Sequence, residues 1–222
     1  MLPCSRCNNR VGYNPMIISE KADLSKHIIG LAARAYPKIF ISCSFGKDSR
    51  VLVDLALKIK PDIQIIGIDT GYEFSETLKH GNELAKDLKL NFKWVSPSKE
   101  EITAIDKEYG DSFVKNGQYK CCEMKIPAIN GVLSEYDAWV TGLRRDETEH
   151  RKDTDIIEYG KIVKVNPLAF WTKDDVWKYI RENKLAHHPL YDEGYQSLGC
   201  KPCTTEGKVQ SGGGRQGQLK EQ

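Results

Sequence analysis

Lys38-Ile-Phe-Ile-Ser-Cys43, Ser44-Phe-Gly-Lys-Asp-Ser-Arg50 and Val51-Leu-Val-Asp-Leu-Ala-Leu-Lys-Ile-Lys60 follow one another without a break. The first run is apolar and β-branched, the second is polar with one glycine, and the third has apolar residues at helical spacing. That order reads strand, polar turn, helix. It returns at once: Ile63-Gln-Ile-Ile-Gly-Ile-Asp69 ends at Thr70-Gly71 and precedes a charged helical stretch over 73–90. Asn91-Phe-Lys-Trp-Val-Ser96 is a third strand, stopped by Pro97. The repetition predicts an α/β fold, a doubly wound and mainly parallel sheet with helices on both faces. Such sheets hold ligands beyond the C-terminal ends of their strands.

Beyond Ser98 the pattern loosens into a helix and a loop, 109–120, that leads to Cys121-Cys122. Tyr136-Asp-Ala-Trp-Val-Thr-Gly142 is a further buried strand whose tip carries Leu143-Arg-Arg-Asp-Glu-Thr148, and Lys161-Ile-Val-Lys-Val-Asn-Pro167 is another. Residues 172–183 form a helix capped by Thr172 with acids in its first turn. From Glu206 the composition turns glycine-rich and polar, as in a flexible tail. The expected organisation is an N-terminal segment over 1–19, one domain over 20–205 and a tail over 206–222.

A chain of 222 residues suits one such domain. Thirty-three basic and 31 acidic residues leave a net charge of +2, which gives no electrostatic case for nucleic acid as a partner. No apolar run approaches the ~18 residues of a membrane span. The first ten residues have no apolar stretch after their charges, unlike a secretory signal, so the expected compartment is the cytoplasm.

The strand tips carry the chemistry. Ser42, Ser44, Gly46, Lys47, Asp48 and Ser49 stand between a strand and a helix N-terminus, where backbone N–H groups and the helix dipole attract an anion and the lysine adds a full charge. The spacing is not that of a Walker A loop. The alternative is an ordinary turn capped by Ser44 or Ser49, with Cys43 a buried strand-end thiol. Asp69 and Thr70 offer an acceptor and a donor that suit a ribose or an adenine edge, or else a hydrogen-bonded turn. Arg144, Arg145 and Arg151 can clamp a phosphate or sulfate oxyanion bidentately. They can equally be neutralised by Asp146, Glu147 and Glu149 in a surface ion-pair network.

The seven cysteines fall mostly into close pairs. Vicinal Cys121 and Cys122 suit a disulfide framework poorly, because their Cβ atoms diverge in most backbone conformations. With Cys200 and Cys203 they supply four thiolates, which suit a zinc ion or an iron-sulfur cluster alike, or remain free thiols or a redox disulfide. Cys4 and Cys7 form a separate pair, either half of a zinc site or two exposed thiols.

The tip after the first strand resembles the PP-loop of adenine nucleotide α-hydrolase-like proteins. Asp69-Thr-Gly-Tyr-Glu-Phe-Ser-Glu-Thr77 resembles the Asp-Thr-Gly-Tyr/His-x-Phe-Pro-Glu-Thr motif of the phosphoadenylylsulfate/adenylylsulfate (PAPS/APS) reductases, with Ser75 for proline. Trp139-Val-Thr-Gly-Leu-Arg-Arg-Asp-Glu-Thr-Glu-His-Arg151 matches that family's Trp-x-x-Gly-x-Arg-Arg-x-x-Ser-x-x-Arg, with Thr148 for serine. The likeness continues through His188-Pro-Leu-Tyr-Asp-Glu-Gly-Tyr-Gln-Ser-Leu-Gly-Cys-Lys-Pro-Cys-Thr204 and covers roughly 38–205.

The resemblance implies the PP-loop fold and thiol-dependent reduction of APS or PAPS to sulfite and AMP or its 3′-phosphate, in assimilatory sulfate reduction. Family members with the Cys-Cys and Cys-x-x-Cys quartet carry a [4Fe-4S] cluster, which places it on Cys121, Cys122, Cys200 and Cys203. Lys125 matches a lysine between cluster and substrate. The serines, Gly46, Lys47 and Asp48 would surround the phosphosulfate, Asp69 and Thr70 the nucleoside, and Arg144, Arg145, Arg151 and Arg215 would balance the anion. A thioredoxin or glutaredoxin-like dithiol is the implied electron donor, and the chain is open to homo-oligomer formation. The family's nucleophile is a cysteine in a C-terminal Glu-Cys-Gly-Leu/Ile-His; the 222 residues contain no match, although Gly214-Arg215-Gln-Gly resembles the segment before it.

Two other readings stand beside this one. Gly46-Lys-Asp-Ser49 also suits a PP-loop ATP pyrophosphatase that adenylates a substrate for sulfur transfer, as in DNA-phosphorothioation relatives. A non-catalytic, nucleotide-binding module that bears a cluster is the third.

Overall fold

The computed structural model describes residues 16–110, 112–115 and 118–207. Cys4, Cys7, Arg215 and the expected tail beyond 207 lie outside the described residues. The chain runs α1 (Ile18–Ala35), β1 (Ile39–Ser42), α2 (Lys47–Leu57), β2 (Gln64–Ile68), α3 (Ser75–Asp87), β3 (Phe92–Val95), α4 (Lys99–Tyr109), β4 (Val114–Lys115), β5 (Gln118–Tyr119), α5 (Lys120–Leu133), β6 (Ala138–Val140), β7 (Ile157–Glu158), β8 (Val163–Val165) and α6 (Lys173–Glu182).

Six strands form one sheet in the order β3-β2-β1-β6-β8-β7, and every pairing is parallel except that of the edge strand β7 with β8. The strand order reverses at β1, whose neighbours are β2 on one side and β6 on the other. Helical connections leave in opposite directions there and open a crevice at the carboxyl ends of β1 and β6.

Alternation along the strands divides the interior. Ile39 and Ile41 of β1, Ile65 of β2 and Val140 of β6 face a large core built with α1, α2 and α6, while Phe40 and Ile66 face a smaller one with Ile129 and Val132 of α5. Both faces are covered, as the repeated strand-helix order predicts. α2 is the most enclosed helix: Val51, Leu52, Val53, Leu55 and Ala56 have no exposed surface. Its N-terminus is thereby held rigidly beneath the crevice.

Two helices are missing from the sequence reading. α1 lies in a stretch with no strand beside it to mark a repeat, and it is recognised only by the core residues Ala22, Ile28, Ile29 and Ala32 that it contributes. Cys121 and Cys122 lie not on a loop but in the first turn of α5, which carries Pro127 within it. A proline in a helix interior argues against helix from sequence, yet α5 persists because Met124, Ala128, Ile129 and Val132 are buried. The charged helix over 73–90 narrows to Ser75–Asp87, and α2 begins four residues earlier than its apolar pattern, at Lys47.

Candidate functional site

The crevice is a cavity of about 720 Å³, within the range of small-molecule sites. Its floor is the β1–α2 turn. Phe45 takes a left-handed φ of 58°, rare for a side chain of this size. Its ring is buried against Phe92 and Trp94, at centroid distances of 5.4 and 5.2 Å, and that packing holds the turn. Gly46 follows as the N-cap residue, and a Cβ there would come within 3.1 Å of the Tyr191 hydroxyl. The Lys47 amide donates to that hydroxyl at 3.0 Å, and the Ser44 amide and hydroxyl meet Ser49 Oγ at 3.2 and 3.1 Å. Ser42 Oγ, at the end of β1, accepts from Trp139 Nε1 at 2.7 Å. Ser42, Ser44, Gly46, Lys47, Asp48 and Ser49 all line the cavity.

Asp48 organises the charges. One carboxylate oxygen lies 3.2 Å from Lys47 Nζ and the other 2.6 Å from Arg144 Nε. Arg144 is 3% exposed and also pairs with Asp146, while Arg151 pairs with Glu147. Burial opposes the Arg144 charge, but Asp48 and Asp146 outweigh it and hold the guanidinium's pKa above its ordinary value. The ion-pair alternative raised from the sequence is thus realised for Asp146 and Glu147, whereas Glu149 pairs with Lys152 instead. Arg144 and Arg151 still line the cavity. Arg145 is placed differently: it is exposed, donates to the Thr154 carbonyl at 2.8 Å and does not line the cavity.

At the neighbouring tip Asp69 and Thr70 also stand outside the cavity lining. Asp69 Oδ1 accepts from the Gly71 amide at 2.8 Å, an aspartate turn that the positive φ of Gly71 completes. Thr70 gives both its amide and its hydroxyl to Glu73 Oε2, each at 2.8 Å. The cavity wall on this side is formed by Ile66, Ile68, Ile126 and Ile129, with Trp139 opposite, an apolar slot suited to a base.

The thiols gather beside this wall. The sulfurs of Cys121, Cys122 and Cys203 lie within 4.8 Å of one another, and Cys121 and Cys203 approach to 3.5 Å. Cys200 is 2% exposed and donates to Glu73 Oε1 at 3.7 Å. Its hydrogen bond with Cys121 draws the Cys200 pKa down to about 7 against the effect of burial, with help from Lys125, while Cys121 is pushed up by Cys122 and Cys200. Helix α5 supplies the vicinal pair and, one turn on, Lys125, so that Cys122 and Lys125 both reach the cavity. The cysteines suit a thiolate-ligated metal group. Cys43 also borders the cavity but is only 3% exposed, and burial pushes its thiol up to about 12.

Sequence reasoning assigned no role to Glu73 or Tyr191. Both lie inside the motifs quoted above, but Glu73 stands at a variable motif position, and the reach of Tyr191 to the Lys47 amide, 144 residues away in the chain, has no local signal.

The model of the phosphoadenosine phosphosulfate reductase domain matches residues 38–206. The adenosine 5′-phosphosulfate reductase of Staphylococcus haemolyticus is 41% identical over 183 residues, 80% of this chain and 75% of the relative. That of Staphylococcus epidermidis is 37% identical over 202 residues, 86% of this chain and 81% of the relative. The crystal structure of the phosphoadenylyl-sulfate reductase of Candida auris, a phosphate complex, superposes with a TM-score of 0.66 at 25% identity, covering 87% of this chain and all of that one.

Proposed function

Because the chain belongs to the phosphoadenosine phosphosulfate reductase domain family, we propose that the crevice at the ends of β1 and β6 is where it binds and reduces a sulfonucleotide. The protein is an APS/PAPS reductase that acts in sulfate reduction. The observation that supports this site is the meeting of three features in one cavity: the α2 N-terminus with Lys47, the apolar slot, and Cys122 with Lys125 beside the other cysteines. An anionic phosphosulfate would sit over the amides of α2, its adenosine would enter the slot, and its sulfate would face Lys125.

In the reaction implied by the resemblance, a thiolate attacks the sulfate sulfur and the bond from sulfur to the bridging oxygen breaks. AMP, or its 3′-phosphate, leaves with the electron pair. A dithiol protein then attacks the S-sulfocysteine, releasing sulfite and becoming oxidised itself. Charge develops on the bridging oxygen, and Lys47 and the α2 N-terminus are the groups that stabilise it. None of the described cysteines is suited to the attack, since the Cys43 thiol borders the cavity but is buried and held protonated, and Cys121, Cys122 and Cys203 gather in the thiol cluster with Cys200 beside them.

Cys121, Cys122, Cys200 and Cys203 would hold a [4Fe-4S] cluster, which supplies a fixed anionic charge beside the sulfate that Lys125 offsets. APS is the preferred substrate in this reading. The relatives at 41% and 37% identity are named adenosine 5′-phosphosulfate reductases, which supports this choice.

The test is anaerobic purification, followed by separate incubation with APS, PAPS and ATP in the presence of thioredoxin. Sulfite, pyrophosphate, iron, sulfide and zinc are measured together. The expected result is sulfite from APS and about four irons per chain. Pyrophosphate from ATP without sulfite would overturn the assignment in favour of the pyrophosphatase that Gly46-Lys-Asp-Ser49 also suits. Zinc in place of iron would overturn the cluster.

A further inference from the structure

Glu73 presents an anomaly of charge. Its side chain is only 7% exposed, yet it lies between a cavity assigned to an anion and a group of thiols that ionise when they bind metal. A buried carboxylate there repels both neighbours and loses hydration, so it requires compensation from donors and cations. Those are present on both oxygens. Oε2 accepts from the Thr70 amide and hydroxyl, and Oε1 faces Lys125 Nζ at 3.8 Å and the Cys200 thiol at 3.7 Å. One carboxylate thus joins three segments: the tip after β2, the α5 lysine, and the segment that carries Cys200. A backbone bond from the Lys201 amide to the Tyr72 carbonyl, at 2.8 Å, closes the same junction.

We propose that Glu73 is a positioning residue that fixes the Lys125 ammonium at the cavity wall, so that the cation faces the sulfonucleotide while it also touches the Cys200 thiol. This rests on the assignment of the cavity to a sulfonucleotide. Lys125 has four rotatable bonds and is the one-turn neighbour of both Cys121 and Cys122 on α5, so metal-bound thiolates would draw its charge toward them. Glu73 Oε1, which touches both the lysine and Cys200, holds the ammonium at the edge of the thiol group nearest the cavity. Its grip on Thr70 prevents the carboxylate from following the lysine.

Glu73→Gln separates the two contacts. The amide oxygen can still accept from Thr70, while the NH₂ now turned toward Lys125 cannot pair with an ammonium. Equilibrium binding of APS in the absence of any reductant, measured on the anaerobically purified chain with its metal, is therefore expected to weaken about tenfold in E73Q, roughly the value of one charge-assisted contact. In a K125Q background the same change should alter binding less than about twofold, because the residue through which it acts is gone. Glu73→Asp keeps the charge but withdraws it by one methylene, and binding should weaken as in E73Q. Iron and sulfide per chain stay at the value of the unsubstituted protein in every one of these variants.

Binding by E73Q or E73D equal to that of the unsubstituted chain overturns the proposal. So does a loss that persists undiminished in K125Q, or a loss of iron, which would make Glu73 a support of the cysteine segment instead. Failure of the unsubstituted chain to bind APS would sink the functional assignment itself, and is thus distinguishable from failure of the role of Glu73.

Discussion

Cys43 and Cys200 show how far a thiol's surroundings decide its chemistry. Both are buried, at 3% and 2% exposure. Cys43 is raised to about 12 because burial outweighs the Phe45 amide, Arg50 and Ser49 beside it, whereas Cys200 has Cys121 and Lys125 within reach and falls to about 7. At pH 8 Cys43 is held as the unreactive thiol. Brief treatment of the native protein with iodoacetamide at pH 8 should therefore leave Cys43 unmodified in peptide mass spectra, while the same treatment in denaturant modifies it fully. Rapid native labelling of Cys43 would mean that the β1–α2 turn opens, and would return this thiol to the candidates for the attacking nucleophile. His188 makes the complementary case for a buried base. Its Nδ1 accepts from the Leu190 amide, so Nε2 carries the proton and donates to Thr77 Oγ1 at 3.0 Å. Burial, then the neighbouring His80, lower its pKa to about 4. Between that value and the ordinary 6.5 the unfolded chain binds the proton and the folded chain does not, so stability rises with pH across this window and is lost as pH falls through it. Thermal unfolding temperature should drop from pH 7 to pH 4, and His188→Gln should flatten that slope.

At the scale of elements, β2 and α3 are fitted together around one indole. Trp94 of β3 lies against Gly67 of β2 and Gly81 of α3. A Cβ on Gly67 would stand 2.5 Å from the ring, and one on Gly81 2.8 Å from Trp94 and from Phe45. Gly81→Ala should gain up to about 1 kcal/mol in helix propensity. It should nonetheless destabilise the protein by about 1–3 kcal/mol in urea unfolding, because overpacking dominates and the Phe45 ring that supports the left-handed turn must move. A stabilised Gly81→Ala protein would show that the ring yields at no cost. The same comparison separates what was legible in the sequence from what was not. Strands β1, β2, β3, β6 and β8 and the turn after β1 could be read because parallel strands buried on both faces are short apolar runs with polar tips. The grouping of Cys121, Cys122 and Cys203 was readable from the two close pairs of cysteines. Glycines that make room for an indole, a proline tolerated within α5 and the pairing of Arg144 with Asp48 arise from contacts between segments far apart in the chain, and no local pattern encodes them. Arg145 shows the converse: adjacent residues in one motif point to different surroundings, and only the backbone decides which one reaches the cavity.

Across the whole molecule the site is assembled from segments that the sheet alone does not hold together. β1, β2 and β6 fix the α2 turn and the two neighbouring tips by register, Phe40 opposite Gln64 on one side and Trp139 on the other. The Cys200–Cys203 segment belongs to no strand. It is a single 3-10 turn over Lys201–Cys203, fastened to the tip after β2 by the Lys201 amide on the Tyr72 carbonyl at 2.8 Å and by Cys200 on Glu73. A metal group shared with Cys121 and Cys122 of α5 would add its binding free energy to that junction, and its removal would leave the segment to a few polar contacts. Hydrogen exchange of peptides that cover 198–207 and 69–74 should therefore quicken by about tenfold or more after the metal is oxidised and chelated away, while peptides from β1 and α2 keep their protection. Should all these peptides quicken together, the metal would be supporting the whole domain. Should none change, the cysteine segment would be held by the protein contacts alone, and the thiols would have to be regarded as a preformed pocket that the metal enters without cost to the fold.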